Sequence, residues 1–152
     1  MKRKIRSEGS ATVDSKEKSL LAAKAALDKK AGDLVVFDVR GLTTIADYFI
    51  ICSAESHRQV RAIRDHIDDM LSRRGCRPYG TEGEETSRWI LMDYSDLIVH
   101  IFKEEVRAFY ALERLWGDAP RLDVSEAPPP VTAVRTKKAA TVRRKREGAG
   151  SP

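Results

Sequence analysis

The stretch RWILMDYSDLIVHIF, residues 88–102, carries three side chains able to do chemistry: Asp93, Asp96 and His100. Paired carboxylates can hold Mg²⁺ for phosphoryl or nucleotidyl transfer, and a strand-borne histidine can act as a general base. The spacing argues against the first use. Asp93 and Asp96 are three apart with a turn between them, whereas carboxylates sharing a metal on one strand are best placed two apart, on the same face. No glycine-rich phosphate loop leads into a helix. Aspartates favour turns in any case, because their carboxylates bond nearby backbone amides. His100 alternates with Val99 and Ile101, and no recognisable motif ties it to a serine or cysteine nucleophile. No catalytic residue and no cofactor is expected. A nucleotidyltransferase-like enzyme using Asp93 and Asp96 stands as one alternative, and an RNA-binding protein acting through its basic tail as another.

A metal site is not expected either. Cys52 and Cys76 lie far apart and outside any CxxC pair, and with His57, His66 and His100 they make no ligand spacing. Cys52 falls in an apolar run, where cysteine serves as a small buried hydrophobe.

The elements that must position these residues are legible between two polar ends. Asp14 followed by Glu17 resembles a capping box, Leu20, Ala23 and Leu27 sit at helical spacing, and Gly32 supplies a stop. Residues 33–39 and 47–53 read as strands. Ser56 and Gln59 cap a second helix with Val60, Ile63, Ile67, Met70 and Leu71 as its apolar stripe, closed by Gly75. A short extended segment near Gly80 precedes two strands around the 93–96 turn. Val106, Phe109, Leu112 and Trp116 then mark one last helix. Strands apolar on both faces need cover on both faces, which the helices supply. The expected fold is α/β: a single domain over residues 14–120 with a mixed β-sheet covered by helices. Residues 1–13 are expected to be a flexible extension and 121–152 a disordered basic tail.

Charge follows the same division. Of 28 Lys/Arg and 23 Asp/Glu, residues 1–14 hold four and two, and residues 117–152 eight and four, leaving 16 basic and 17 acidic between them. The folded part is nearly neutral. Within it, however, residues 80–105 carry seven acids (Glu82, Glu84, Glu85, Asp93, Asp96, Glu104 and Glu105) against Arg88 and Lys103. Such a segment steers toward a basic partner and away from bare nucleic acid. Trp89 beside it reads as core or as an interface anchor. The cluster Arg143-Arg144-Lys145-Arg146 either contacts RNA phosphates with little sequence preference or is a solvated tail. No apolar run approaches the roughly 18 residues of a membrane span. The first residues, MKRKIRSEGS, lack the apolar stretch of a secretory signal. The expected location is the cytoplasm.

DVRGLTTIADYFIICSAESHRQVRAI (38–63), EG (82–83) with the 88–102 stretch, and FYALERLWGDAP (109–120) together resemble the ribosomal silencing factor family, also known as Iojap. The resemblance runs from about Ser15 to Pro120. It implies a fold related to nucleotidyltransferases without their catalytic apparatus. It also implies binding to the large ribosomal subunit at its protein number fourteen, on the face that meets the small subunit. The bound factor would block subunit joining when nutrients are scarce, and would self-associate when free. By position, the family's motif block falls on Glu82, Gly83, Trp89, Asp93, Tyr94, Asp96 and His100. The resemblance makes this the contact surface, with Trp89 and Tyr94 as anchors and the acids pairing with Lys/Arg. Where the family commonly has glycine, this chain has Ser95, which implies an altered or strained turn. The tails carry no part of the resemblance.

Overall fold

The computed structural model describes residues 13–124. The expected flexible extension, apart from Val13, and the basic cluster at 143–146 lie outside the described residues. Val13 is buried in the core, and Leu122 and Val124 pack against it. The folded unit therefore reaches beyond the 14–120 expected at both ends.

Helix α1 (Ser15–Asp28) starts where the Asp14 carboxylate accepts the Glu17 amide at 2.8 Å, satisfying one of the helix's orphan donors. The other arm of the expected box is absent, because the Glu17 carboxylate pairs with Arg74 beyond the second helix. The stop is not Gly32 but Lys30, at φ 64. Four alanines and Ser19, all buried, let α1 approach its neighbours closely, and Leu20 is buried while Leu27 is exposed. Helix α2 (His57–Ser72) follows its stripe: Ser56 Oγ accepts the Gln59 amide at 3.1 Å, and Val60, Ile63, Ile67, Met70 and Leu71 are all buried.

Strands β1 (Gly32–Asp38), β2 (Tyr48–Ala54), β3 (Gly80–Glu82), β4 (Trp89–Asp93) and β5 (Leu97–Lys103) form one sheet in the order β1-β2-β5-β4-β3. Only β2 and β5 run parallel. Every residue of the central β2 is buried. One face, carrying Tyr48, Ile50, Cys52, Ile90, Val99 and Ile101, packs under α1 and α2. The other face, with Phe37, Phe49, Ile51 and Phe102, packs under Val106, Leu112, Trp116 and Ala119.

The cover of that second face departs from the sequence expectation. The single last helix is two pieces: α3 (Glu104–Tyr110) and a 3₁₀ helix (Leu112–Trp116), separated by Ala111 in the left-handed region at φ 48. The break redirects the chain so that Leu112 and Trp116 still reach the sheet, with Trp116 edge-on to Phe49 at 4.9 Å. Phe109 is left outside.

The β4–β5 turn settles how Ser95 is accommodated. Ser95 sits at φ 76, and its amide donates to Asp93 Oδ1 at 2.8 Å. A residue with a Cβ pays for this conformation where glycine does not. Ser95→Gly is expected to stabilise the domain by up to about 1 kcal/mol. A denaturant midpoint at or below that of the parent chain would contradict the strain.

Candidate docking site

Cross-strand partners share a face of a sheet, and the register assigns the motif residues accordingly. Glu82 lies opposite Leu91, which lies opposite His100; Trp89 is opposite Phe102, and Asp93 opposite Ile98. Glu82, Trp89, Leu91, Asp93 and His100 therefore share the α3 face, at its uncovered edge. Two sequence-predicted residues do not join them. Tyr94, next to Asp93 and so aimed the other way, is 3% exposed in the α1/α2 core. That burial removes it as a surface anchor in this conformation. Asp96 is drawn to α1, where Lys18 Nζ lies 2.8 Å from its Oδ1.

Those contacts also decide what the two aspartates do. Asp93 holds the turn amide of Ser95, and Asp96 answers Lys18. Their carboxylates serve different partners. Among the described residues, no group of three or more His, Cys, Asp or Glu side chains is arranged to hold a metal ion.

Trp89 is the centre of the face. It is half-buried, stacked on Phe102 at 4.8 Å, and its Nε1–H donates to His100 Nδ1 at 3.1 Å. The bond requires a neutral imidazole with its proton on Nε2. Burial supplies that state: it lowers the His100 pKa from 6.5 to about 4, because desolvation disfavours the charged ring. The linkage has a definite sign. The unfolded chain protonates His100 before the folded one does, so its contribution is complete above pH 6.5 and is lost as pH falls toward 4. The loss should reach roughly 3 kcal/mol. Denaturant unfolding at pH 7 and pH 4 should show a smaller acid loss for His100→Phe than for the parent; equal losses would contradict this.

Sequence reasoning missed the side chains that extend this face. Phe109 and Tyr110 on α3 are 80% and 54% exposed, and Leu115 on the 3₁₀ helix is 71% exposed. Tyr110 lies 4.9 Å from the Trp89 ring and Phe109 meets Tyr110 edge-on at 5.0 Å, giving a continuous aromatic surface. The signal was available: two adjacent aromatics on a short helix cannot both face the core. Arg107 fixes α3 beneath them. Its buried guanidinium donates to Ser53 Oγ at 2.7 Å, to the Gly32 carbonyl at 3.4 Å and to Glu113 Oε2 at 3.1 Å.

An acidic loop borders the aromatics. Gly83, at φ 89, turns the chain tightly against β4, and α2 holds the loop through Arg64 to Glu84 at 2.6 Å and Arg61 to Ser87 Oγ at 3.2 Å. Glu82, Glu85 and Glu104 are exposed and make no ion pair with a described residue. A rigid aromatic centre with unpaired carboxylates at its rim suits a protein partner carrying Lys or Arg.

Comparison with known proteins places the chain in a family. The family model described as "Ribosomal silencing factor during starvation" matches residues 12–149. The chain belongs to the ribosomal silencing factor family. The match continues into the C-terminal tail, further than the motifs between Ser15 and Pro120 reach. A ribosomal silencing factor from Bacillus subtilis is 43% identical over 110 residues, spanning 71% of this chain and 93% of that protein. A mouse relative, named for mitochondrial assembly of the ribosomal large subunit, is 32% identical over 91 residues, 58% of this chain and 40% of that one. A crystal structure from Chromobacterium violaceum superposes with a TM-score of 0.67 at 34% identity, covering 69% of this chain and 88% of that one. Within the family, this chain keeps the mixed α/β sheet that carries the Trp89 face. No helix among its described residues is long and apolar enough to cross a membrane.

Proposed function

We propose that the protein acts in the cytoplasm as a non-enzymatic translational repressor. It binds the large ribosomal subunit at that subunit's protein number fourteen and thereby keeps the small subunit from joining, chiefly when nutrients are limiting. The observation that carries this reading is the Trp89 face: a preorganised indole flanked by exposed Tyr110 and Phe109 and rimmed by unpaired carboxylates. The family's silencing role and the mouse relative's large-subunit name support the choice of subunit.

Repression then needs only occupancy. A domain of about 110 residues has a radius of gyration near 13 Å, enough to hold two surfaces apart wherever it is seated between them. Aromatic anchors supply affinity by leaving water, and the acidic rim supplies encounter rate and orientation. Nothing has to be turned over, in keeping with the separate engagements of Asp93 and Asp96.

Co-sedimentation of the full chain with purified large or small subunits tests the reading. Binding to large subunits alone, weakening moderately with salt as rim charges are screened, is the expected outcome. Equal retention by both subunits, or none by either, would overturn it.

A further inference from the structure

His100 is 6% exposed, so it offers little surface of its own to a macromolecule seated on this face. Its side chain nevertheless accepts the hydrogen bond of the Trp89 indole. The imidazole lies parallel to Phe102 at 6.1 Å and edge-on to Phe49 at 5.9 Å, clamped by rings from β5 and β2. From that fixed seat Nδ1 receives the Trp89 Nε1–H at 3.1 Å. Phenylalanine would fill the seat equally well, so packing alone does not explain a polar ring there.

We propose that His100 is the positioning residue of the docking face, setting the tilt of the Trp89 indole and, through it, the seat of Tyr110. The proposal rests on the docking reading above and adds to it a division of labour. Trp89, Tyr110 and Phe109 touch the partner, and His100 acts only through Trp89. A half-buried indole N–H has to find an acceptor. With His100 in place the acceptor lies inward, and the ring lies along Phe102 and tilted against Tyr110. Without it, the N–H is satisfied only by turning toward water, which takes the ring off Phe102 and breaks the continuity of the aromatic surface. The partner would then have to restore the orientation on binding, and preorganisation would be lost.

Three full-length chains test this: the parent, His100→Phe and His100→Asn. Phenylalanine keeps the aromatic volume and removes the acceptor; asparagine loses the ring but can place Oδ1 near the position of Nδ1. The Trp89 indole N–H resonance, distinguished from that of Trp116 by a Trp89→Phe chain, reports the bond with no ribosome present. In the parent it should be protected from exchange. In His100→Phe it should shift and exchange freely, with affinity for large subunits about tenfold weaker. His100→Asn should recover the protected resonance and most of the affinity.

An unprotected indole in the parent, or an unchanged one in His100→Phe, would overturn the proposal. So would equal loss of affinity in His100→Phe and His100→Asn, which marks a packing role alone. Should His100→Phe fail to fold, exchange protection in the parent and recovery in His100→Asn still decide the matter. Absence of parent binding to large subunits would overturn the docking reading on its own, because the indole resonance is read without it.

Discussion

Trp89→Ala is expected to weaken binding to large ribosomal subunits by at least about 2 kcal/mol, roughly thirtyfold, in a protein that still folds. Truncation removes the group linking the sheet to the exposed aromatics, since Trp89 touches both Phe102 and Tyr110. It also leaves His100 Nδ1 without its donor. Some loss of stability should accompany it, because a half-buried indole contributes packing as well. The two effects separate when unfolding and subunit binding are measured on the same preparation. A folded Trp89→Ala chain that binds as tightly as the parent would return Trp89 to a packing role and remove the centre of the proposed surface.

Gly83→Ala should be the most damaging small substitution in the domain. A Cβ at this position would lie 2.0 Å from the Trp89 carbonyl oxygen and 3.0 Å from its carbonyl carbon, with φ at 89. The obstacle is backbone, so no rotamer change relieves it, and the 83–88 loop or the start of β4 has to move. Conformational strain and overpacking together should cost about 3 kcal/mol, with Trp89 displaced and subunit binding reduced as well. Gly41→Ala is the control. It meets nothing within 4 Å and has no unusual φ, so its effect should stay within about 0.5 kcal/mol. Urea midpoints for the two variants give the comparison, and a Gly83→Ala midpoint matching that of Gly41→Ala would contradict the close approach.

What could be read from residues alone depended on whether the deciding contact was local. Ser56, Gln59 and the Val60-to-Leu71 stripe mark α2 because capping and helical periodicity act within a few positions. The all-buried β2 shows no alternation, and nothing nearby says that it pairs in parallel with β5 across the intervening α2, β3 and β4. Ala111 breaks the last helix without any turn chemistry of its own, so Phe109 reads as core although it is outside.

The candidate site divides in the same way. Glu82, Trp89, Asp93 and His100 were recognisable by type and position, but which of them share a face needed the strand register. Strand alternation separates Tyr94 from Asp93, and the Lys18–Asp96 pair joins residues far apart in sequence. The Trp89–His100 bond likewise appears only once β4 lies beside β5. A resemblance carried over by position brings the residues but not their orientation. Here orientation places His100 beneath the Trp89 indole and buries Tyr94 in the opposite core.

The most direct measurement is ribosomal subunit joining, followed on sucrose gradients with the full chain in excess over purified large subunits before small subunits are added. The account predicts that free subunits persist with the parent chain and that joining recovers with Trp89→Ala. Complete joining in the presence of excess parent protein would contradict it.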